Sequence, residues 1–131
     1  MDNGLDDTVY MLYNKEMFEI VFFETKNGRA PVRENLEALL EPDQAKAAAH
    51  LKLLEQYGHT LKEPHVKHMQ DKLRELRFKI SAGQYRVFFF FHVGAKVVLV
   101  HSIVKKTQET PKPELDLALR RMREWMRRHG G

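Results

Sequence analysis

Apolar and polar positions alternate along residues 72–106, KLRELRFKISAGQYRVFFFFHVGAKVVLVHSIVKK, in three bursts separated by Ser81-Ala82-Gly83 and Val93-Gly94-Ala95. Runs of four to eight apolar or β-branched residues between glycine-containing turns predict consecutive antiparallel strands. Upstream, MFEIVFFE at residues 17–24 predicts one more strand, closed by the turn signal Lys26-Asn27-Gly28. From Pro31 the period changes. Proline suits a first helical position, and Val32, Leu36, Leu39 and Leu40 fall at i, i+4, i+7 and i+8, one apolar stripe. Pro42 interrupts, and a second helix through AKAAAHLKLLEQY runs to a stop at Gly58. So short a link predicts an antiparallel helical hairpin. Residues 59–70 are polar and read as loop. After the strands, TQETPKPELD reads as a connection with Thr110 as the cap before Pro111 and Glu114 and Asp116 as first-turn acids. The last helix runs to about Arg128, with Leu115, Ala118, Leu119, Met122 and Trp125 as its apolar stripe.

The order β-α-α-β-β-β-α predicts an α+β fold, an antiparallel sheet packed with an N-terminal helical hairpin and a C-terminal helix. Residues 1–14 read as a poorly ordered lead-in and residues 15–129 as one domain, which the length of 131 suits. No run approaches the roughly 20 apolar residues that a bilayer span needs. The acidic, polar start MDNGLDD does not resemble a secretory signal, and there is no cysteine for disulfide or thiolate chemistry. A cytoplasmic location without membrane contact is the expectation.

Charge changes the picture more. Residues 1–61 carry a net −5 and residues 62–131 a net +9, an asymmetry that points to a polyanion partner for the second half. Arg77, Lys79, Arg86, Lys105 and Lys106 stud the strand region. Burying an unpaired cation is costly, so these are expected on an open face. Blander readings stand beside that one. Arg77 and Lys79 alternate with Leu76, Phe78 and Ile80, as on the solvent side of an edge strand. Arg86 sits among apolar residues and suits a buried ion pair with an acid such as Glu75 or Glu19. Lys105 and Lys106 end a strand, where charges are common.

Among the other side chains with chemistry, His101 inside VVLVHSIV reads first as a hydrogen-bonded core histidine. His65 and His68 have the i, i+3 spacing of helical metal ligands, but no carboxylate or cysteine motif completes a zinc set. Four consecutive phenylalanines, Phe88 to Phe91, read first as a strand buried on both faces and second as a base-stacking platform. Arg120, Arg121, Arg123, Arg127 and Arg128 lie mostly off the apolar stripe of the last helix, as a solvated face or as a grip on RNA phosphates.

The element order, with KLRELRFKISAGQYRVFFFF followed by VVLVHSIVKKTQETPKPELDLALRRM, resembles the RelE/ParE superfamily of bacterial type II toxins, and most closely its HigB-like, phage-derived branch. The likeness covers about residues 16–126 and rests on ELR, YRVFF after a glycine turn, and VKKTQ-TP before a Leu/Ala/Arg helix. It implies a RelE-like fold and a translation-blocking toxin that cuts mRNA in the ribosomal A site. It also implies a cognate antitoxin, usually a helix-turn-helix DNA-binding protein. The family's basic residues carry over to Arg77 with Lys79 beside it, to Arg86, and to Lys105 and Lys106. Many relatives also carry a tyrosine or histidine near the C-terminus for proton transfer or stacking; TQETPKPEL has neither.

Metal-free RNA cleavage needs a base for the 2′-OH, charge stabilisation for the phosphorane-like transition state and an acid for the leaving 5′-oxygen. Arginine suits the second role. The candidate catalytic set is therefore Arg77, Lys79, Arg86 and Lys105, with Lys79 or Lys105 as proton carrier. RNA binding extends over Lys106, His68, Lys72, Arg120 and Arg123, with messenger and ribosomal RNA as partners. His68 is the favoured substitute for the missing proton donor. No cofactor or metal is called for. Two alternatives remain: a ParE-like inhibitor of DNA gyrase without nuclease chemistry, and a degenerate phage-derived RNA-binding module.

Overall fold

The computed structural model describes residues 17–105 and 109–130. The predicted lead-in, residues 1–14, lies outside them. A strand, β1 (Glu19–Phe22), is followed by two helices, α1 (Pro31–Glu37) and α2 (Glu41–Tyr57), and a 3-10 turn (Gly58–Thr60). Four strands come next: β2 (Val66–Gln70), β3 (Leu73–Ile80), β4 (Gly83–His92) and β5 (Lys96–Lys105). Helix α3 (Lys112–His129) ends the described chain. None of these helices is long and apolar enough to cross a membrane.

The α+β class and its RelE-like arrangement are as expected, with two refinements. The sheet has five strands in the order β1-β5-β4-β3-β2, and β1 runs parallel to β5 while the other pairings are antiparallel. The fifth strand, β2, lies in the stretch read as loop. As the outer strand it buries only Val66 fully and leaves Lys67, His68 and Gln70 exposed, so it lacks the apolar density that marks a strand in sequence.

Register sorts the core into two layers. On one face Leu76, Phe78 and Ile80 of β3, Tyr85, Val87 and Phe89 of β4, and Val97 and Leu99 of β5 pack against Val32 of α1 and Ala47 and Leu54 of α2. On the other, Leu73, Phe88, Phe90, Val98 and Val100 meet Ala118, Leu119, Met122 and Trp125 of α3. Covered on both sides, β4 reads as a continuous apolar run for this reason. Phe88, Phe89 and Phe90 are core and closed to any base, and only Phe91 is partly exposed. A bulge leaves Val100 without a register partner, since Phe88 pairs with His101 and Phe89 with Leu99. The α2 helix is anchored to the β3–β4 turn through buried Asp43, which accepts from the Ser81 backbone N–H (3.1 Å) and hydroxyl (2.6 Å).

Candidate active site

Residues directly opposite in antiparallel strands share a face, so the register aligns the cations in rows on the α3 side. Lys79, Gln84 and Lys105 form one row across β3, β4 and β5. Arg77, Arg86 and Ile103 form the next, and Lys67, Glu75, Phe88 and His101 the one after. Four of the predicted cations therefore converge beside the N-terminus of α3. Lys106, the fifth, lies outside the described residues.

Convergence does not make them equivalent. Arg86 is fully buried, and so is Glu75. The open-face expectation fails for Arg86, and the ion-pair reading holds. Its Nη1 lies 3.5 Å from Glu75 Oε2 and donates to Thr110 Oγ1 (2.8 Å), while Nε and Nη2 donate to Gln84 Oε1 (3.2 and 2.9 Å). Thr110 in turn donates to Glu75 Oε2 (2.8 Å). Thr110 is therefore not the helix cap; Pro111 takes that position without a side-chain bond, and the hydroxyl closes the charged network instead. A buried pair is tolerable only when its remaining donors and acceptors are satisfied, which Gln84 and Thr110 accomplish.

Arg77 occupies the boundary of this network. Its Nε donates to Glu75 Oε1 at 2.5 Å, and its side chain keeps 18% of its surface accessible. Both oxygens of one buried carboxylate are thus spoken for, one by Arg77 and the other by Thr110 and Arg86. Arg77 lines a surface cleft of about 300 Å³ with Lys67, Met69, Glu109 and Thr110. With Nε tied down, the guanidinium plane is fixed and its terminal nitrogens are the end offered to a ligand. Lys79 is exposed and Lys105 half-buried, one row beyond and not among the cleft's lining residues.

The predicted RNA-binding residues divide. His68 is the register partner of Arg74 and stands on the opposite face of the sheet from Arg77, so it does not join that site. Its Nε2 is 2.6 Å from the Asp71 carbonyl, and His65 and His68 belong to a turn and a strand, not to a helix face. Lys72 is exposed in the β2–β3 turn. Arg120 and Arg123 are exposed on α3, and Arg123 pairs with Asp71 at 3.3 Å. The arginines of α3 also do structural work: Arg121 donates to the Val100 carbonyl (2.9 Å), and Arg128 donates to the Glu24 carbonyl (2.7 Å) and pairs with Glu124.

His101 is a core histidine. Nε2 faces Glu114 Oε1 at 2.6 Å and Nδ1 faces Arg121 Nη1 at 3.4 Å. A donor opposite Nδ1 fits the neutral ring with its proton on Nε2. Burial lowers its pKa from the ordinary histidine value, the Glu114 hydrogen bond opposes that, and the Arg121 charge adds to it. Among the described residues no three His, Cys, Asp or Glu side chains come together so as to hold a metal ion.

Sequence reasoning missed Lys67, Glu75 as organiser, Glu109 and Thr110. Lys67 lay in a presumed loop, and Glu109 and Thr110 in a presumed connection. Glu75 was anticipated as a partner of Arg86, and the alternation of Leu73, Glu75 and Arg77 on one strand face was the signal that it also meets Arg77.

Residues 34–123 match the model of the family described as phage derived protein Gp49-like (DUF891). The chain is also similar to proteins named "Probable endoribonuclease HigB1" from two strains of Mycobacterium tuberculosis, CDC 1551 / Oshkosh and ATCC 25618 / H37Rv. Each is 29% identical over 109 residues, spanning 83% of this chain and 85% of the relative.

Proposed function

The chain belongs to the Gp49-like family of phage-derived proteins, the RelE/HigB-like branch that its motifs resemble, and on that premise we propose that it is the endoribonuclease toxin of a toxin–antitoxin pair. The observation that carries the reading is Arg77, clamped by a buried carboxylate and lining a cleft beside Lys67, Glu109 and Thr110. A fixed guanidinium at a surface cleft is the donor arrangement that a phosphorane-like transition state requires. The relatives named as probable endoribonucleases align over most of the same chain.

In this reading the 2′-OH gives its proton to the Glu109 carboxylate, and the 2′-oxygen attacks the adjacent phosphorus. The P–O5′ bond breaks, and the departing 5′-oxygen takes a proton from the Lys67 ammonium. The products are a 2′,3′-cyclic phosphate and a free 5′-hydroxyl. Arg77 neutralises the non-bridging oxygens as charge builds. Lys79 and Lys105 receive neighbouring phosphates. Arg86 touches no substrate: it holds Glu75 and Thr110 in place and is a positioning residue.

Among the described residues no aromatic ring lines this cleft to seat a base. Orientation of the scissile linkage, which is worth several kcal/mol of barrier, must come from elsewhere, and a ribosome presenting messenger RNA supplies it. Translation is blocked as a result. The antitoxin covers Lys67, Arg77, Lys79 and Lys105 with an acidic segment, the complement that this row of cations fits.

The test is induced expression of wild type and Arg77→Ala, following growth and new mRNA 5′ ends in the same cells. Growth arrest with cuts at codon boundaries, both lost in Arg77→Ala, is expected. Arrest without cuts would assign gyrase-type inhibition instead, and no arrest would leave an RNA-binding module.

A further inference from the structure

A second cleft, of about 330 Å³, opens on the other face of the sheet, lined by His59, His68, Asp71, Lys72, Arg74 and Phe91. Its floor is aromatic. The 3-10 turn after α2 lays His59 on Phe91 with ring centroids 4.2 Å apart, and Phe18 stands edge-on to both at 5.0 and 5.5 Å. Gly58 makes this approach possible: its φ is +49°, and a Cβ there would come within 2.1 Å of the Phe18 ring. Its rim is cationic. The Arg74 guanidinium lies 5.2 Å above the Phe91 ring, and Lys72 projects from the adjoining turn. The one carboxylate in the lining, Asp71, is turned to Arg123, so it does not neutralise that rim.

We infer that this cleft is a second RNA subsite, holding one unpaired nucleotide of the strand whose cleavage is proposed above, and the inference rests on that reading. Arg74 and Lys72 take the phosphate and the Phe91 floor takes the sugar and base, the pairing of cation and ring that unpaired RNA selects. An acidic peptide would use the cations and leave the rings idle, so it fits less well. Topology links the two clefts. Successive residues of a strand point to opposite faces, and on the outer strand β2 Lys67 lines the first cleft while His68 lines the second. Arg74 and Arg77 are three positions apart on β3, about 10 Å along the strand. A single strand folded over the β2 edge reaches both.

Fluorescence anisotropy of a labelled 12-nucleotide single-stranded RNA, titrated with the purified full chain from 50 to 200 mM salt, tests this. Lys72→Ala/Arg74→Ala should weaken binding about tenfold and flatten the log–log salt dependence by about 0.7, the value for one phosphate contact on a single strand. Lys72→Glu, on an exposed turn, should weaken binding by itself and guards against any unsettling of Phe91 in the double variant. Wild-type affinity and slope in both variants would overturn the inference while leaving the nuclease reading intact. A loss of affinity for an acidic antitoxin segment without a loss for RNA would overturn it too. Wild-type protein with no affinity for this RNA would also overturn the inference, and the nuclease reading would then stand or fall on the expression test alone.

Discussion

The two faces of the central sheet solve different problems with the same strands. Beneath α1 and α2 one face is closed by apolar side chains from Val66 to Leu99, with the Asp43–Ser81 anchor at its margin and the His59–Phe91 cleft open toward β2. The face under α3 is apolar where Phe88, Phe90 and Trp125 meet and turns ionic beyond the start of the helix, where Glu75, Arg86 and Thr110 are locked together. The difference shows how a small protein can hold one arginine rigid at its surface. It buries a carboxylate beneath that arginine and satisfies the carboxylate's other oxygen with a second arginine that never reaches solvent. Arg77 and Arg86 are register partners, one at the cleft and one sealed in the core.

The largest expected effect comes from breaking the buried pair. Glu75→Leu or Arg86→Leu alone strands a desolvated charge and should cost about 3–5 kcal/mol in urea unfolding. The double variant Glu75→Leu/Arg86→Leu should recover most of that loss while remaining inactive, because Arg77 has lost its clamp. Additive losses in the double variant would mean that the pair is not a unit.

Arg77→Ala shifts the weight from stability to activity. Stability should fall by about 1–3 kcal/mol, since the bond to the buried Glu75 Oε1 is lost, whereas cleavage per folded molecule should fall roughly 10²–10³-fold, the usual loss of one transition-state donor. Asp43→Ala tests the opposite face. Two hydrogen bonds to Ser81 disappear, at a cost of about 1.5–3 kcal/mol, and the cleavage rate per folded molecule should be unchanged.

The smallest effect is a pH dependence. The pKa of His101 is lowered in the folded state, chiefly by burial. The unfolded chain therefore takes up the proton first, and stability should be complete above pH 6.5 and fall as pH drops below it toward the folded pKa. His101→Gln should remove this component of a melting-temperature profile between pH 7.5 and 5. A stability that rises on acidification over that range would show the imidazolium to be the favoured form beside Glu114.

Most of this architecture is legible in the chain. The helices announce themselves through Pro31, Gly58 and their apolar stripes, and β3 to β5 through apolar runs between glycine turns. The strand β2 does not, because an outer strand satisfies itself with one buried valine. The site was legible in composition and not in geometry. Whether Arg86 is exposed depends on which acid faces it, and Glu75 becomes its neighbour only through a hairpin register that neither residue specifies. Thr110 beside Pro111 looks like a cap in any local reading; only the return of β5 into α3 brings its hydroxyl between Glu75 and Arg86. His68 illustrates the period-two rule: a shift of one position on an edge strand separates it from Lys67 by the thickness of the sheet.

The division of labour between the two arginines is tested most directly by purified Arg77→Ala. Its folded fraction would first be fixed from its unfolding curve, and cleavage of ribosome-bound messenger RNA then followed with analysis of the product ends. Wild type should leave 2′,3′-cyclic phosphate and 5′-hydroxyl ends, and the folded variant should cleave at least a hundredfold more slowly. Cleavage at the wild-type rate by folded Arg77→Ala would contradict this division of labour.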